Sequence, residues 1–135
     1  MKILVDTSVW VDFFNQFPSR EAAVLADLLL DEVEVVTCGV VVAEFFQGIR
    51  KTESLPELET HFRDMTSLVP REPDTYLAAA ALFRELRARG ITIRSTIDCL
   101  IARLAEENSA LLLAKDRDLH RILDSELCEL RSIPV

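Results

Sequence analysis

The sequence predicts an α/β fold, a three-layer α/β/α sandwich around a central parallel sheet. Short aliphatic and β-branched runs, typical of buried strands, alternate along the chain with longer segments whose apolar residues recur at helical spacing. Strands separated by helices pair in parallel through right-handed crossovers, and the helices cover both faces of the sheet. The 135 residues suffice for one hydrophobic core and contain no repeat or polar linker, so we expect a single domain over 1–135.

The first half of the chain predicts three strands and four helices. The strands are short and aliphatic or β-branched, at 2–5, 33–37 and 66–69. The first helix begins after Asp6, and Ser19 is the expected N-cap of a second over 20–32. A segment that is apolar almost all round, 40–49, predicts a largely buried third helix. Ser54 and Glu57 form a capping-box pattern for a fourth, which runs to about position 65.

The second half predicts a long helix over 75–89, with Gly90 at the position where a glycine ends a helix. Ser95 and Asp98 form another capping-box pattern, which opens a helix to about position 108. The apolar run 110–114 predicts a strand, followed by Asp116 and a short helix through Leu123. We expect a last edge strand at 127–130.

Several classes of protein are disfavoured by composition. The longest apolar runs hold only a few residues, and Asp6 interrupts any signal-peptide core, so we expect a cytoplasmic protein with no membrane span. Three cysteines without C-x-x-C spacing indicate buried, reduced thiols rather than disulfides or a zinc site. His61 and His120 lie too far apart in sequence to indicate a metal pair.

The net charge of −8 argues at first against a nucleic-acid partner, because phosphate binding depends on Lys and Arg. The arginines, however, are unevenly distributed. Four of them fall within 11 positions: Arg84, Arg87, Arg89 and Arg94. This run predicts a locally basic face, although a solvated helix face is an adequate alternative explanation.

Four carboxylates are expected to meet at one edge of the sheet. Asp6 and Asp116 each follow a strand directly, and the carboxyl ends of parallel strands share one rim. Asp98 and Glu44, each near the start of a helix, can point to the same rim. Carboxylates packed together repel one another unless a divalent cation is shared among them. Ligation by oxygen alone favours Mg²⁺ or Mn²⁺ over zinc.

Each acid also has an alternative structural role. Asp6, Asp98 and Asp116 are individually explained as helix caps. Glu44 is not, because it lies inside an apolar helix, where burying an unpaired carboxylate costs several kcal/mol. A metal ion or an ion pair with Arg50 or Lys51 would satisfy it. No serine, threonine or cysteine has an obvious activating base nearby, so metal-assisted hydrolysis is the chemistry that remains.

Four segments together resemble a known family. The segments are Ile3–Trp10, Val42–Glu44, Arg94–Ala102 and Lys115–Asp118. In order and spacing they resemble the PIN-domain ribonucleases and, more closely, the VapC-type toxins of bacterial toxin-antitoxin pairs. The resemblance implies a Mg²⁺- or Mn²⁺-dependent endoribonuclease that cleaves structured RNA such as transfer RNA. It also implies a homodimer that is inhibited by a VapB-type antitoxin.

The resemblance also implies roles for individual residues. The metal-binding and catalytic acids are Asp6, Glu44, Asp98 and Asp116. Asp6 and Asp98 would be the principal ligands, while Glu44 or Asp116 would orient the attacking water. Asp118 is a further candidate ligand, because the D-R-D spacing lets either aspartate reach the ion. The hydroxyls of Thr7, Ser8 and Thr96 would line the site. Independently of the resemblance, Arg94 lies one turn before Asp98 and is a candidate for binding an RNA phosphate, with a purely structural role as the alternative.

Other hypotheses remain open. Within the family, a housekeeping RNA-processing nuclease or a non-catalytic binding protein of the same fold is an alternative to a toxin. A phosphatase with Asp6 as nucleophile is disfavoured, because such enzymes need a second aspartate two positions later, where this chain has Ser8.

Overall fold

The computed structural model describes all 135 residues as four strands and seven helices. The strands are β1 (Lys2–Val5), β2 (Glu34–Cys38), β3 (Thr66–Leu68) and β4 (Leu111–Leu113). The helices are α1 (Thr7–Phe14), α2 (Arg20–Leu30), α3 (Gly39–Gln47), α4 (Leu55–Asp64), α5 (Asp74–Ala88), α6 (Thr96–Glu107) and α7 (Arg117–Ser125). Each predicted strand through β4 and each predicted helix is present, with bounds shifted by a few residues at most.

The four strands form one parallel sheet in the order β3-β2-β1-β4. In this register Ile3 stands opposite Val35 of β2 and Leu111 of β4. Because all pairings are parallel, every strand ends at the same edge of the sheet. The predicted α/β fold with a central parallel sheet is confirmed.

The interior strand β1 shows why the sheet is covered on both faces. Successive side chains of a strand point to opposite faces, yet Ile3, Leu4 and Val5 are all fully buried. Helices must therefore pack on each side, which gives the three layers. Burial of an aliphatic side chain of this size is worth about 1.5–3 kcal/mol, so the apolar run is sufficient reason for β1 to occupy the interior of the sheet.

Helix ends follow the sequence only in part. The Ser19 and Ser95 hydroxyls accept hydrogen bonds from Ala22 N and Ile97 N, as expected of N-caps. Gly90 has a φ of +77°, the left-handed conformation that favours glycine after a helix. The capping box predicted at Ser54 is wrong, since this side chain makes no capping hydrogen bond.

Two further predictions need correction. The edge strand expected at 127–130 is absent, and the chain joins the sheet later, through a single parallel bridge between Leu112 and Ser132. In that bridge Leu112 N donates to Arg131 O at 2.8 Å. The pairing is made by the backbone alone, and the pattern of apolar residues does not reveal it. Helix α3 is also less buried than expected, with only Val41 and Phe45 buried, because one of its sides faces solvent.

The cysteines and histidines lie in ordinary environments. Cys38 and Cys99 are buried, Cys128 is half-buried, and none is in a disulfide. His61 packs among aromatic rings, and the exposed His120 bonds through Nε2 to a main-chain carbonyl. None of the seven helices has both the length and the apolar composition that crossing a membrane requires.

Candidate active site

The structure brings acidic side chains together at the edge where β1 and β4 end. Asp6 directly follows β1, and Asp116 comes three residues after the last residue of β4. The two strands are neighbours, and Asp6 N donates to the carbonyl of Leu113 at 2.9 Å, which extends their pairing to the rim. Asp98 is the third residue of α6, and Glu44 lies in the middle of α3.

Asp98 has the most strongly perturbed electrostatic environment of the four acids. Burial and the negative charge on four neighbours together raise the pKa of its carboxyl to about 7, and burial is the largest cause. In decreasing order of effect, these neighbours are Asp116, Asp6, Asp118 and Glu44. All the acids predicted for the site therefore act electrostatically on one carboxyl group, as a shared rim requires.

Three of these acids form a compact group of oxygens. Asp98, Asp116 and Asp118 each offer a carboxylate oxygen within 4.8 Å of the others, which is close enough to share one cation. Asp6 and Glu44 do not belong to this group, although the charge of each raises the pKa of Asp98. The predicted four-acid cluster is thus present as a tight centre with two acids further out.

Asp6 is buried, with 5% of its surface exposed, and it does not cap α1 with its side chain. Its Oδ2 instead accepts a 2.6 Å hydrogen bond from the hydroxyl of Ser8. Burial raises the pKa of Asp6, the Ser8 hydrogen bond partly offsets this effect, and the charge of Asp116 adds to it. The capping explanation is therefore wrong for Asp6, whose carboxylate is turned to the rim.

Glu44 is half-buried and receives a 3.2 Å hydrogen bond on Oε1 from the hydroxyl of Thr7. Neither Arg50 nor Lys51 pairs with it, so the structural ion pair considered from the sequence is not formed. The carboxylate keeps Oε2 free of protein hydrogen bonds. Thr96, the third hydroxyl expected at the site, is exposed and makes no side-chain hydrogen bond.

Asp116 combines two roles. Its Oδ1 caps α7 by accepting from Asp118 N at 2.7 Å and from Leu119 N at 3.2 Å. Its Oδ2 lies 3.6 Å from Nη2 of Arg94, and 28% of its side chain is exposed. The capping explanation is correct for this residue, yet one oxygen remains directed to the rim.

Asp118 differs from Asp116 because its side chain is 2% exposed and fully paired. Its Oδ2 accepts from the main-chain N and from Nε of Arg94, both at 3.1 Å, and its Oδ1 accepts from Nη1 of Arg121 at 3.1 Å. Burial would raise the pKa of Asp118, but these hydrogen bonds and charges hold it below its usual value. Arg121 was missed from the sequence, although its spacing three residues after Asp118 on a helix was a usable signal.

A second ion pair supports the turn that carries Asp116. Nζ of Lys115 lies 2.9 Å from Oδ2 of Asp12, which is on α1, and 4.8 Å from the ring centre of Phe17. These contacts tie the end of β4 to the helix that starts at Asp6. This pair was not predictable from the sequence, because its members are 103 positions apart.

The residues at the rim fit a hard divalent cation. Every candidate ligand is a carboxylate oxygen, the donor that Mg²⁺ and Mn²⁺ prefer, and no histidine or cysteine ligand accompanies them. Arg94 is the only basic side chain that pairs with an acid of the compact group without lying on α7. A cation shared by Asp98 and Asp116 would relieve the repulsion that raises the pKa of Asp98.

Comparison with known families agrees with this geometry. Residues 3–123 match the PIN domain family. The chain belongs to the PIN-domain family. The matched range contains each of the acids at the rim as well as Arg94, and the resemblance predicted from the sequence motifs is confirmed.

Individual relatives of this PIN-domain chain are known in mycobacteria. VapC ribonuclease Mb1587 of Mycobacterium bovis and ribonuclease VapC11 of Mycobacterium tuberculosis are each 33% identical to it over 117 residues. These residues cover 86% of this chain and 87% of each relative. The resemblance to VapC proteins noted from the sequence thus extends over most of both chains.

Solved structures share the PIN fold. VapBC2 from Rickettsia felis, bound to a DNA fragment from the promoter, has a TM-score of 0.71 at 20% identity and covers 98% of both chains. FitAcB from Neisseria gonorrhoeae has a TM-score of 0.68 at 19% identity and covers 96% of both chains. At these identities the similarity shows the fold and leaves residue roles to the geometry of this chain.

Proposed function

We propose that this PIN-domain protein is an endoribonuclease, the toxin of a toxin-antitoxin pair, and that its acidic rim uses Mg²⁺ or Mn²⁺. The 33% identical relatives are named as VapC ribonucleases, which supports the reaction class. The observation that supports metal binding is the environment of Asp98, whose pKa is raised to about 7 by burial and by four neighbouring acids. Clustered carboxylates repel one another, and such a destabilising arrangement is expected where a cation binds.

The proposed ligands are Asp6, Asp98 and Asp116. Asp98 contributes from the first turn of α6, Asp6 from the end of β1, and Asp116 through Oδ2, since its Oδ1 caps α7. When bound there, the divalent ion would polarise the scissile phosphate and lower the pKa of the attacking water. The Ser8 hydroxyl holds the Asp6 carboxylate in one orientation through its 2.6 Å hydrogen bond.

Glu44 is the proposed proton acceptor. The hydroxyl of Thr7 occupies Oε1, which fixes the carboxylate plane and leaves Oε2 available to accept a proton from the attacking water. Of the four neighbouring acids, Glu44 has the smallest effect on the pKa of Asp98 and Asp6 has the second largest. We therefore place Asp6 among the proposed metal ligands and Glu44 beside them. It thereby completes the set of four acids: three that bind the cation and one that takes the proton.

Substrate and partner follow from the same proposal. Arg94 stands at the rim with 76% of its side chain exposed, and an arginine in this position suits an RNA phosphate. We propose structured RNA such as transfer RNA as the substrate, a VapB-type antitoxin as the inhibitor, and a homodimer of single-domain chains. A short antitoxin reading frame directly before this gene would favour the toxin over a housekeeping RNA-processing nuclease.

The test is cleavage of unfractionated bacterial transfer RNA by the purified chain. We expect cutting with Mg²⁺ or Mn²⁺, no cutting with excess EDTA, and no cutting by Asp6→Asn at any Mg²⁺ concentration. Asp27→Asn, which changes an exposed acid of α2, serves as the matched control and should cut normally. Cutting that survives EDTA, or equal cutting by Asp6→Asn and the wild type, would overturn the proposal.

A further inference from the structure

We propose that Asp118 is a positioning residue and not a metal ligand: it fixes one edge of the Arg94 guanidinium so that the other edge can bind an RNA phosphate beside the acidic rim. This inference rests on the proposed nuclease function. It assigns different tasks to the two aspartates of the D-R-D sequence, Asp116 and Asp118.

Hydrogen bonds already use most of the accepting positions on the oxygens of Asp118. Oδ2 accepts two hydrogen bonds from Arg94, one from the main-chain N and one from Nε, and Oδ1 accepts one from Arg121. A metal ion would have to bind the one remaining lone pair of Oδ1, beside the Arg121 guanidinium and within a side chain that is 2% exposed. Proximity to Asp98 and Asp116 therefore does not make Asp118 a ligand.

The two arginines that pair with Asp118, Arg94 and Arg121, have different roles in neutralising its charge. One arginine is enough to neutralise a buried carboxylate, and Asp118 has two. Nη1 of Arg121 donates both to Asp118 and to the carbonyl of Thr92 at 3.2 Å, so this arginine binds only the protein around Asp118. Arg94 is therefore the positive charge in excess of what Asp118 needs for its burial.

The guanidinium of Arg94 is held on one side and free on the other. Nε binds Asp118, and Nη2 lies 3.6 Å from Oδ2 of Asp116, while Nη1 makes no hydrogen bond with the protein. The main-chain N of Arg94 also donates to Asp118, so the backbone and the guanidinium of Arg94 are both held by one buried carboxylate. Nη1 is thus available for a ligand, on a side chain of which 76% is exposed.

This arrangement suits phosphate recognition beside a site of cleavage. A flexible exposed arginine loses rotamer freedom when it binds a phosphate, whereas one already fixed through Nε loses less. The planar guanidinium can bind a carboxylate with one edge and a phosphate with the other. Without the bonds to Asp118, the guanidinium could move closer to Asp116 than its present 3.6 Å and compete with the proposed cation.

The experiment measures the steady-state kinetics of Mg²⁺-dependent cleavage of unfractionated bacterial transfer RNA. The variants are Arg94→Ala, Asp118→Asn and the double variant, with Arg20→Ala as the control for loss of an exposed arginine on α2. We expect Arg94→Ala to raise KM about ten-fold, as for the loss of one charge-assisted contact, with kcat within about two-fold of the wild type. Asp118→Asn should raise KM equally, and the double variant should show no further increase.

The Mg²⁺ concentration that gives half-maximal cutting separates positioning from ligation. We expect it to be unchanged in Asp118→Asn, whereas a ligand variant would need far more metal. If Asp118→Asn does not fold, the double variant Asp118→Asn with Arg121→Gln takes its place in the same assay. It removes the buried carboxylate together with Arg121, one of the two arginines that neutralise it. An unchanged KM in Arg94→Ala, additive effects in the double variant or a raised Mg²⁺ requirement in Asp118→Asn would overturn the inference. Absence of cutting by the wild type would instead refute the proposed nuclease function on which it rests.

Discussion

The hydroxyl of Thr7 donates a 3.2 Å hydrogen bond to Oε1 of Glu44, across 37 positions of sequence. Thr7 is the first residue of α1 and directly follows Asp6, whereas Glu44 lies on α3. One contact therefore relates the proposed proton acceptor to a proposed metal ligand. The orientation of Glu44 depends on how α1 leaves the sheet.

Replacing Thr7 by valine tests this relationship. Thr7→Val keeps the shape of the side chain but removes the donor, so Glu44 loses its fixed orientation. We expect about a ten-fold lower rate of RNA cleavage, corresponding to one hydrogen bond to a charged group, with the melting temperature almost unchanged. Thr52→Val, at an exposed position without a side-chain hydrogen bond, is the control. Equal rates for Thr7→Val and the control would show that Thr7 does not orient Glu44.

The raised pKa of Asp98 predicts that metal-free protein loses stability as the pH rises. The carboxyl titrates at about 7 in the folded chain against an ordinary value of 3.8, so the folded state holds this proton more tightly than the unfolded state does. Ionisation between about pH 4 and pH 8 therefore destabilises the fold. In EDTA, Asp98→Asn should melt about 3–5 °C above the wild type at pH 8, a modest shift because the side chain is only half-buried.

The difference should be smaller at pH 5, where most of the Asp98 carboxyl groups in the folded chain are protonated. Thermal melting followed by circular dichroism at both pH values measures it. A melting temperature of Asp98→Asn that stays below the wild type at pH 8 in EDTA would contradict the electrostatic account of the rim.

The lowered pKa of His61 predicts that the protein loses stability as the pH falls below 6.5. Burial lowers its pKa from 6.5, the charge of Asp64 only partly offsets this effect, and Nε2 is buried without a hydrogen-bond partner. The neutral ring is favoured in the fold, so stability present above pH 6.5 is lost as the pH falls through the lower folded-state pKa. His61 packs against Trp10 and Phe62 with ring centres 5.2 Å away in each case, and protonation would leave a charge among these rings.

His61→Phe keeps an aromatic ring and removes the titration. Between pH 7 and pH 5 we expect urea denaturation to show a larger loss of stability for the wild type than for this variant. His120→Asn changes the exposed histidine and should lose as much as the wild type. An identical loss in His61→Phe and the wild type would show that this ring does not titrate with folding.

The order of strands and helices was predictable because the signal is local. The run Lys2–Val5 and the alternation after it are readable from hydrophobic periodicity, and parallel pairing follows from the crossovers. The acids at the rim were predictable for the same reason. Asp6 follows its strand directly, and a side chain in that position must end at the carboxyl edge of the sheet.

How each acid uses its oxygens was not predictable, because it depends on contacts between distant segments. Asp6, Asp98 and Asp116 have similar cap-like positions in the sequence, yet only Asp116 caps a helix with its side chain. Asp118 resembles Asp116 in sequence but is held by Arg94 from another element, 24 positions away. The bridge at Ser132 escaped prediction likewise, since one isolated pairing leaves no periodic pattern.

The central claim is that Asp98 and its neighbours hold a divalent cation, and its most direct test is calorimetric titration of Mn²⁺ or Mg²⁺ into metal-free protein. Asp98→Asn removes the charge at the centre of the rim, whereas Asp27→Asn removes a remote exposed one. The account predicts a site tighter than millimolar in the wild type and in Asp27→Asn, and no such site in Asp98→Asn. Equal affinity in all three proteins, or no binding tighter than millimolar in the wild type, would contradict it.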